Sequence, residues 1–184
     1  MNIPHRFLIN KKISNSISQH PIPLYVPKSK DELKLNIKEL LKKKIHDLNY
    51  IDISNITDMS YLFCKDGKGV NIDDIDDIDI SLWDVSNVRN MHSMFNYCKN
   101  FNCDISNWNV GKVEDMGYMF SSCYNFNCDI SKWDVSNVKN MNSMFDECRK
   151  FNQNLNNWDV DKVEDMSNAF YDCISLKNKP NWYH

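Results

Sequence analysis

A 25-residue repeat runs through most of the chain and limits how it can fold. Four types of side chain recur at this spacing: Trp83, Trp108, Trp133 and Trp158; Met91, Met116, Met141 and Met166; Phe95, Phe120, Phe145 and Phe170; Cys98, Cys123, Cys148 and Cys173. Residues 51–63 align with residues 83–95, so we count about five repeats and call each one a rung. A lone rung cannot bury its apolar face, and rungs must therefore lie on each other, with side chains one period apart in contact.

Two shorter periodicities alternate within a rung. One set has helical spacing, and its members in one rung are Val113, Met116, Met119, Phe120 and Cys123. Residues suited to a helix N-cap precede it in each rung, namely Ser86, Gly111, Ser136 and Asp161. Phe101, Cys103 and Ile105 then alternate with polar residues, as in a strand. The pattern predicts a leucine-rich-repeat-like solenoid, with a short parallel β-strand and a short helix in every 25-residue rung.

The chain before the repeats has its own pattern. Ser29 and Glu32 have the spacing of a capping box, and apolar residues on one helical face follow them. We therefore expect a capping helix over residues 29–45. The predicted organisation is an N-terminal tail (1–24), a capping segment with its helix (25–47) and the repeat region (48–184), with an insertion near 64–78.

Composition narrows the classes of partner. The formal net charge of −3 disfavours nucleic-acid binding, which needs a concentrated basic face. No run approaches the ~18 apolar residues of a membrane span. The N-terminal residues lack the apolar core of a secretion signal, so we expect an intracellular, cytoplasmic protein. The seven cysteines then read as reduced thiols.

The cysteines and one acidic segment invite metal hypotheses. Cys98 and Cys103 form a C-x4-C pair at the wide limit of zinc-ligand spacing. Core packing of small thiols is the preferred interpretation, with oxidation between rungs as the main alternative and metal binding as a weaker one. The acidic insertion at residues 73–77 lacks the glycine and glutamate of an EF-hand loop, and a solvated loop is preferred to a calcium site.

One polar ladder is the candidate binding site. Its members lie at the outward positions of the predicted strands: Asp79, Ser81, Asp104, Ser106, Asp129, Ser131, Asn154 and Asn156. The preferred interpretation is that its carboxylates accept hydrogen bonds from turn amides or stay solvated. The alternatives are an acidic stripe that faces a ligand and a cation bridged between carboxylates.

A second ladder alternates in sign. The residue after the valine that recurs in each rung is Arg89, Glu114, Lys139 and Glu164 in turn, so rungs alternate with a 50-residue super-period. Stacked rungs would place these charges in a row, where they would fix the register of one rung on the next.

No catalytic motif is present. The sequence lacks G-x-S-x-G, H-E-x-x-H and a glycine-rich phosphate loop, so we predict neither enzymatic activity nor a cofactor. The leading hypothesis is a protein-binding scaffold that uses the strand face, and we expect a monomer. The rival is a structural protein that self-associates through the end carrying Trp182 and Tyr183.

The run Trp133-Asp134-Val135-Ser136-Asn137-Val138-Lys139-Asn140-Met141-Asn142-Ser143-Met144-Phe145 resembles the BspA-like leucine-rich-repeat proteins. In particular it resembles their mycoplasma-type surface-lipoprotein branch, whose function is unknown. The segment from Tyr25 to Leu33 is also similar to the start of that family, and the likeness covers roughly residues 25–176. It implies a right-handed solenoid for adhesion or protein binding, display on a cell surface and no catalytic residues.

Overall fold

The computed structural model describes residues 24–70 and 77–184. Its single helix within these ranges is α1 (Lys30–Lys42), which begins after Ser29, whose Oγ accepts the N–H of Glu32 at 3.2 Å. The helix predicted over residues 29–45 is therefore confirmed, with slightly shorter bounds. Its buried face packs on the repeats through Leu33, Ile37, Leu40 and Leu41. The predicted tail, apart from Leu24, and residues 71–76 of the predicted insertion lie outside the described residues.

Rungs lie directly on each other, as the repeat predicts. Isolated parallel bridges join equivalent residues of successive rungs: Asp58 to Asn90, Asn90 to Asp115, Asp115 to Asn140 and Asn140 to Asp165. The rings of Trp108 and Trp133 are stacked with centroids 6.5 Å apart. We number the rungs by residues 51–82, 83–107, 108–132, 133–157 and 158–182, and call the whole array the repeat stack.

The predicted fold class is wrong: the repeat stack is not a leucine-rich-repeat-like solenoid with a strand and a helix in each rung. The described residues contain no helix after α1, and their strand pairing is limited to isolated bridges. Where the sequence predicted a helix, residues 116–123 form consecutive turns. Where it predicted a strand, residues 101–105 are irregular.

The reason lies in where the backbone hydrogen bonds go. Alternate N–H groups of the third rung donate to the fourth, and these pairs are Met116 to Asn140, Tyr118 to Asn142, Phe120 to Met144 and Ser122 to Asp146, at 2.7 to 3.0 Å. The N–H groups between them close local turns, such as Met119 to Met116 at 3.1 Å. Tyr118 and Ser122 have φ of 56° and 59°, in the left-handed region, and such residues interrupt a right-handed helix. The helical spacing of apolar residues therefore comes from these turns.

Columns of identical side chains fill the core. The rings of Phe63, Phe95, Phe120, Phe145 and Phe170 follow one another at 5.4 to 5.8 Å. Each tryptophan indole donates to a backbone carbonyl 27 to 35 residues earlier in the chain, as Trp133 does to Ile105 at 3.2 Å. Because the donor and the acceptor lie in different rungs, burial of the tryptophan also fixes the register between them.

The cysteines are free thiols, and five of the seven are buried. Cys123 Sγ donates to the carbonyl of Phe95 in the preceding rung at 3.0 Å, and the equivalent cysteines make the same contact. Burial raises the pKa of the Cys123 and Cys148 thiols well above the ordinary value. This column packs in the core as small thiols, as the sequence analysis predicted. Cys103 and Cys128 lie outside the column and are only partly buried.

Phe120 lies in the middle of the aromatic core and tests how far rungs depend on one another. Its ring contacts those of Phe95, Phe126 and Phe145. We expect Phe120→Ala to lower the free energy of unfolding by ~3–5 kcal/mol in urea titrations followed by circular dichroism. The control Tyr97→Ala, at a side chain 49% exposed, should cost less than about 1 kcal/mol. Equal losses would show that the aromatic columns do not hold the rungs together.

Candidate interaction surfaces

Asp and Asn side chains stabilise the turns at which the chain of each rung changes direction, and we call these turns the corners of the rung. In the third rung three of them accept the backbone N–H of the residue two positions later: Asn109 from Gly111 at 3.2 Å, Asp115 from Gly117 at 2.9 Å and Asp129 from Ser131 at 3.0 Å. The same three turns recur in the second and fourth rungs, and two of them recur in the fifth. Such Asx turns let a side chain replace a backbone turn bond. The recurring Asp and Asn residues thus bend the chain.

The predicted binding ladder is one of these three corner columns. We call it the Asp/Ser column, and it consists of Asp79, Ser81, Asp104, Ser106, Asp129, Ser131, Asn154 and Asn156. Asp104 Oδ1 accepts both the N–H and the Oγ–H of Ser106, at 3.0 and 2.7 Å. Hydrogen bonds from the following serine lower the pKa of Asp104 and of Asp129. These carboxylates serve the turns of their own rungs, which agrees with the preferred interpretation from the sequence.

Substitutions at Asp104 separate a turn role from a binding role. Asp104→Asn keeps an oxygen acceptor for the Ser106 N–H and should change the free energy of unfolding by less than about 0.5 kcal/mol. Asp104→Ala removes the acceptor and should cost about 0.5–1 kcal/mol, since the corner is exposed. Thermal and urea unfolding measure both. If Asp104→Ala is as stable as the native chain, the turn assignment fails.

The alternating charge ladder is present for its first three members. Glu114 accepts a hydrogen bond from Arg89 at 3.1 Å and from Lys139 at 2.8 Å. The Lys139 contact is the main reason why the pKa of Glu114 lies below its ordinary value. Glu164 adds a smaller electrostatic contribution that raises the pKa of Lys139. The ladder therefore joins the second, third and fourth rungs in one register.

Glu114→Gln should lower the melting temperature at pH 7 more than Glu164→Gln does. Both sites have the same place in a rung, but only Glu114 accepts bonds from two neighbouring rungs. Because the folded pKa of Glu114 is lowered, its contribution is present above its ordinary pKa of 4.5 and is lost as pH falls through the folded value. The gap between the two variants should thus close in acid. A pH-independent gap would contradict an electrostatic origin.

A second surface was not predicted from the sequence. Tyr61, His92 and Tyr118 lie in a row, with the His92 ring centroid 5.3 Å from that of Tyr61 and 5.7 Å from that of Tyr118. His92 Nδ1 is 3.3 Å from Asp115 Oδ1. We call these four residues the tyrosine–histidine face. Tyr118 remains 38% exposed, so the row offers aromatic surface to solvent.

A glycine makes this arrangement possible. A Cβ at Gly117 would lie 2.7 Å from Asn140 Nδ2 and 3.1 Å from His92 Nδ1. Asn140 Nδ2 donates to Asp115 Oδ1 at 2.9 Å, so the carboxylate is held from two neighbouring rungs. Any larger residue at 117 would push these groups apart.

The signal for this face is variation among otherwise similar rungs. The position of His92 is occupied in turn by Ser60, His92, Gly117, Asn142 and Ser167, while the Asp or Asn two residues before it and the Met before it persist. Residues that repeat serve the fold, whereas residues that change are free to serve another purpose. Comparing the rungs for positions that vary would have identified this face, whereas comparing them for positions that repeat does not identify it.

Two further observations concern metal binding and membrane insertion. Across residues 24–70 and 77–184, no group of three or more His, Cys, Asp or Glu side chains is placed to hold a metal ion. In the same part of the chain, no helix has the length and apolar character required to cross a membrane.

Comparison with known proteins identifies the family. The family described as "Mycoplasma protein of unknown function, DUF285" matches residues 68–182, which is more than half of the chain. The protein therefore belongs to this family of repeat proteins. Comparison with curated proteins and comparison with solved structures each gave no match.

Proposed function

We propose that this protein is a non-enzymatic protein-binding module that contacts its partner through the tyrosine–histidine face. The observation that carries the proposal is the row of Tyr61, His92 and Tyr118 rings on the surface of the repeat stack. Tyrosine supplies a large contact area and a polar hydroxyl with few rotatable bonds, so it suits recognition of a protein surface.

The face is held in place before any partner arrives. His92 packs between two tyrosine rings, and Asp115 is anchored by the N–H of Gly117 and by Asn140. Side chains already fixed in one arrangement lose little entropy on binding. Successive rungs extend the surface with Asn142, whose Nδ2 donates to Ser167 Oγ at 2.6 Å.

The titratable groups favour binding over catalysis. A nucleophilic cysteine needs a lowered pKa, whereas burial raises the pKa of Cys123 and brings that of Cys64 to about 12. Asp104 and Asp129 have lowered pKa values, which leaves them ionised and weakly basic near neutral pH. None of these four groups therefore suits a nucleophile or a general base.

The rival role, self-association through the C-terminal aromatic residues, has less support. Trp182 stacks on Trp158 with centroids 6.3 Å apart, and Tyr183 meets Phe170 edge-on at 5.1 Å. Both rings are used within the chain. We also propose a closer relationship to the BspA-like branch, and with that relationship an adhesive role. This part of the proposal rests on the sequence of the Trp133–Phe145 run.

Substitutions that copy residues from one rung to the equivalent position of another test the proposal with residues that the fold already accommodates. His92→Asn and Tyr118→Ser, made together, install residues that other rungs carry at those positions (Asn142 and Ser143). The control variant carries Asp129→Asn and Ser131→Asn, which copy Asn154 and Asn156 into the Asp/Ser column. Immobilised native chain and both variants, shown to be folded by circular dichroism, are used to capture partners from a cell extract.

We expect a protein that the native chain and the control variant retain and the His92/Tyr118 variant loses, with affinity for the purified partner reduced at least tenfold. Retention by the His92/Tyr118 variant together with loss by the control would transfer the binding site to the Asp/Ser column. Equal retention by all three would refute a role for either surface.

A further inference from the structure

The hydrogen bonds between rungs have a direction. Alternate N–H groups of the fourth rung donate to the fifth, and the pairs are Met141 to Asp165, Ser143 to Ser167, Phe145 to Ala169 and Glu147 to Tyr171, at 2.7 to 2.9 Å. The equivalent N–H groups of the fifth rung belong to Met166, Asn168, Phe170 and Asp172. Within the part of the chain that the structure describes, none of these four has an acceptor. The C-terminal end of the repeat stack therefore presents a row of donors.

The chain itself covers part of the opposite end. There the first rung presents carbonyl acceptors. The Ser60 carbonyl accepts a hydrogen bond from Lys30 Nζ of α1 at 3.3 Å, and the Leu62 carbonyl accepts the N–H of Val70 at 2.9 Å. Lys30 also forms an ion pair with Asp58 at 2.6 Å. Two of the first-rung acceptors are thus occupied within the chain. At the C-terminal end Trp182 and Tyr183 contact the Phe170 ring, whereas the four N–H groups have no acceptor among the described residues.

Side chains at this open end have a matching character. Val163 and Met166 are partly uncovered, although their third-rung equivalents Val113 and Met116 are completely buried. Three exposed side chains beside them are acidic, namely Asp161, Glu164 and Asp165. Lys162 is exposed as well, and its Nζ donates to Asn137 Oδ1 of the fourth rung at 2.7 Å. The end thus combines unpaired donors, uncovered apolar surface and negative charge.

The third rung has the same acidic residues as this end and is covered by another rung, so it shows which segment can pack on them. It carries Glu114 and Asp115 where the fifth carries Glu164 and Asp165, and the fourth rung lies on it. Lys139 Nζ binds Glu114 at 2.8 Å, and Asn140 Nδ2 donates to Asp115 at 2.9 Å. A segment with the pattern of residues 133–147 therefore satisfies both the backbone and the acidic side chains of a Glu-Asp rung.

We propose that the open end of the repeat stack is a docking edge for an extended segment of a partner polypeptide. The segment runs parallel to residues 165–172, presents the carbonyls of alternate residues to the four N–H groups, and places a basic residue opposite Glu164 and an asparagine opposite Asp165. Addition of an edge segment through main-chain bonds is an established mode of peptide recognition. Here the direction of the bonds and the acidic rim define which segment fits.

A second copy of this chain does not fit. Two open ends brought together would oppose donors to donors and carboxylates to carboxylates. Head-to-tail contact would meet the end that α1 and Val70 already occupy. The chain alone should accordingly remain a monomer at all concentrations.

Synthetic peptides added to the intact protein test the docking edge. One peptide has the sequence of residues 133–147, and its matched control carries Lys139→Glu and Asn140→Asp. Hydrogen exchange at the four N–H groups of the open end, followed residue by residue by NMR, reports docking. The first peptide should slow exchange at Met166, Asn168, Phe170 and Asp172 at least tenfold, and the control should slow it much less. In a Glu164→Lys protein the preference should shift toward the control peptide.

Two outcomes would overturn the proposal. One is unchanged exchange at the four groups when the first peptide is present at millimolar concentration. The other is equal slowing by both peptides that Glu164→Lys does not alter, since this would reflect unspecific apolar adsorption. Protection of these groups in the protein alone, accompanied by a dimer in light scattering, would also contradict it, because a second copy would then be the occupant.

Discussion

The hydrogen bonds that leave each rung are the interaction on which the rest of this structure depends. In the third rung every second N–H from Met116 to Ser122 has its acceptor in the following rung, and the intervening N–H groups close local turns within the rung. A rung alone would leave half of these donors without a partner, and unpaired buried donors are costly. Stacking is therefore a condition of folding for every unit, and each unit has to match two neighbours.

The repeated side chains follow from that condition. Cys123 donates to a carbonyl of the rung before, and Trp133 donates to the Ile105 carbonyl of the second rung. The stacked phenylalanines exclude water from those bonds. Asp and Asn residues make the corners through Asx turns. The residues at these repeated positions are needed for the fold, so the residues that vary from rung to rung are the ones available to bind a partner. His92 and Tyr118 are among the variable residues, and the proposed interaction surface consists of such positions.

The sequence predicted the register of the repeat stack and much of its core, because a shared period requires contact between neighbours. It also predicted α1, whose capping residues are local to the helix, and the Arg89–Glu114–Lys139 ladder. The helix and strand within each rung were wrong, since turns with left-handed residues such as Tyr118 produce the same apolar spacing as a helix. The Asp/Ser column was found because it repeats. The tyrosine–histidine face was missed because its contacts join different positions of three rungs, which no single period reveals.

Scalar couplings across hydrogen bonds, measured by NMR on the labelled protein, test the pairing between rungs most directly. The account predicts couplings from the Tyr118 nitrogen to the Asn142 carbonyl carbon and from the Phe120 nitrogen to the Met144 carbonyl carbon. A coupling from the Ser122 nitrogen to the Tyr118 carbonyl carbon would instead show a helical turn within the rung. That result would contradict the central claim that the backbone of each rung is completed by the next.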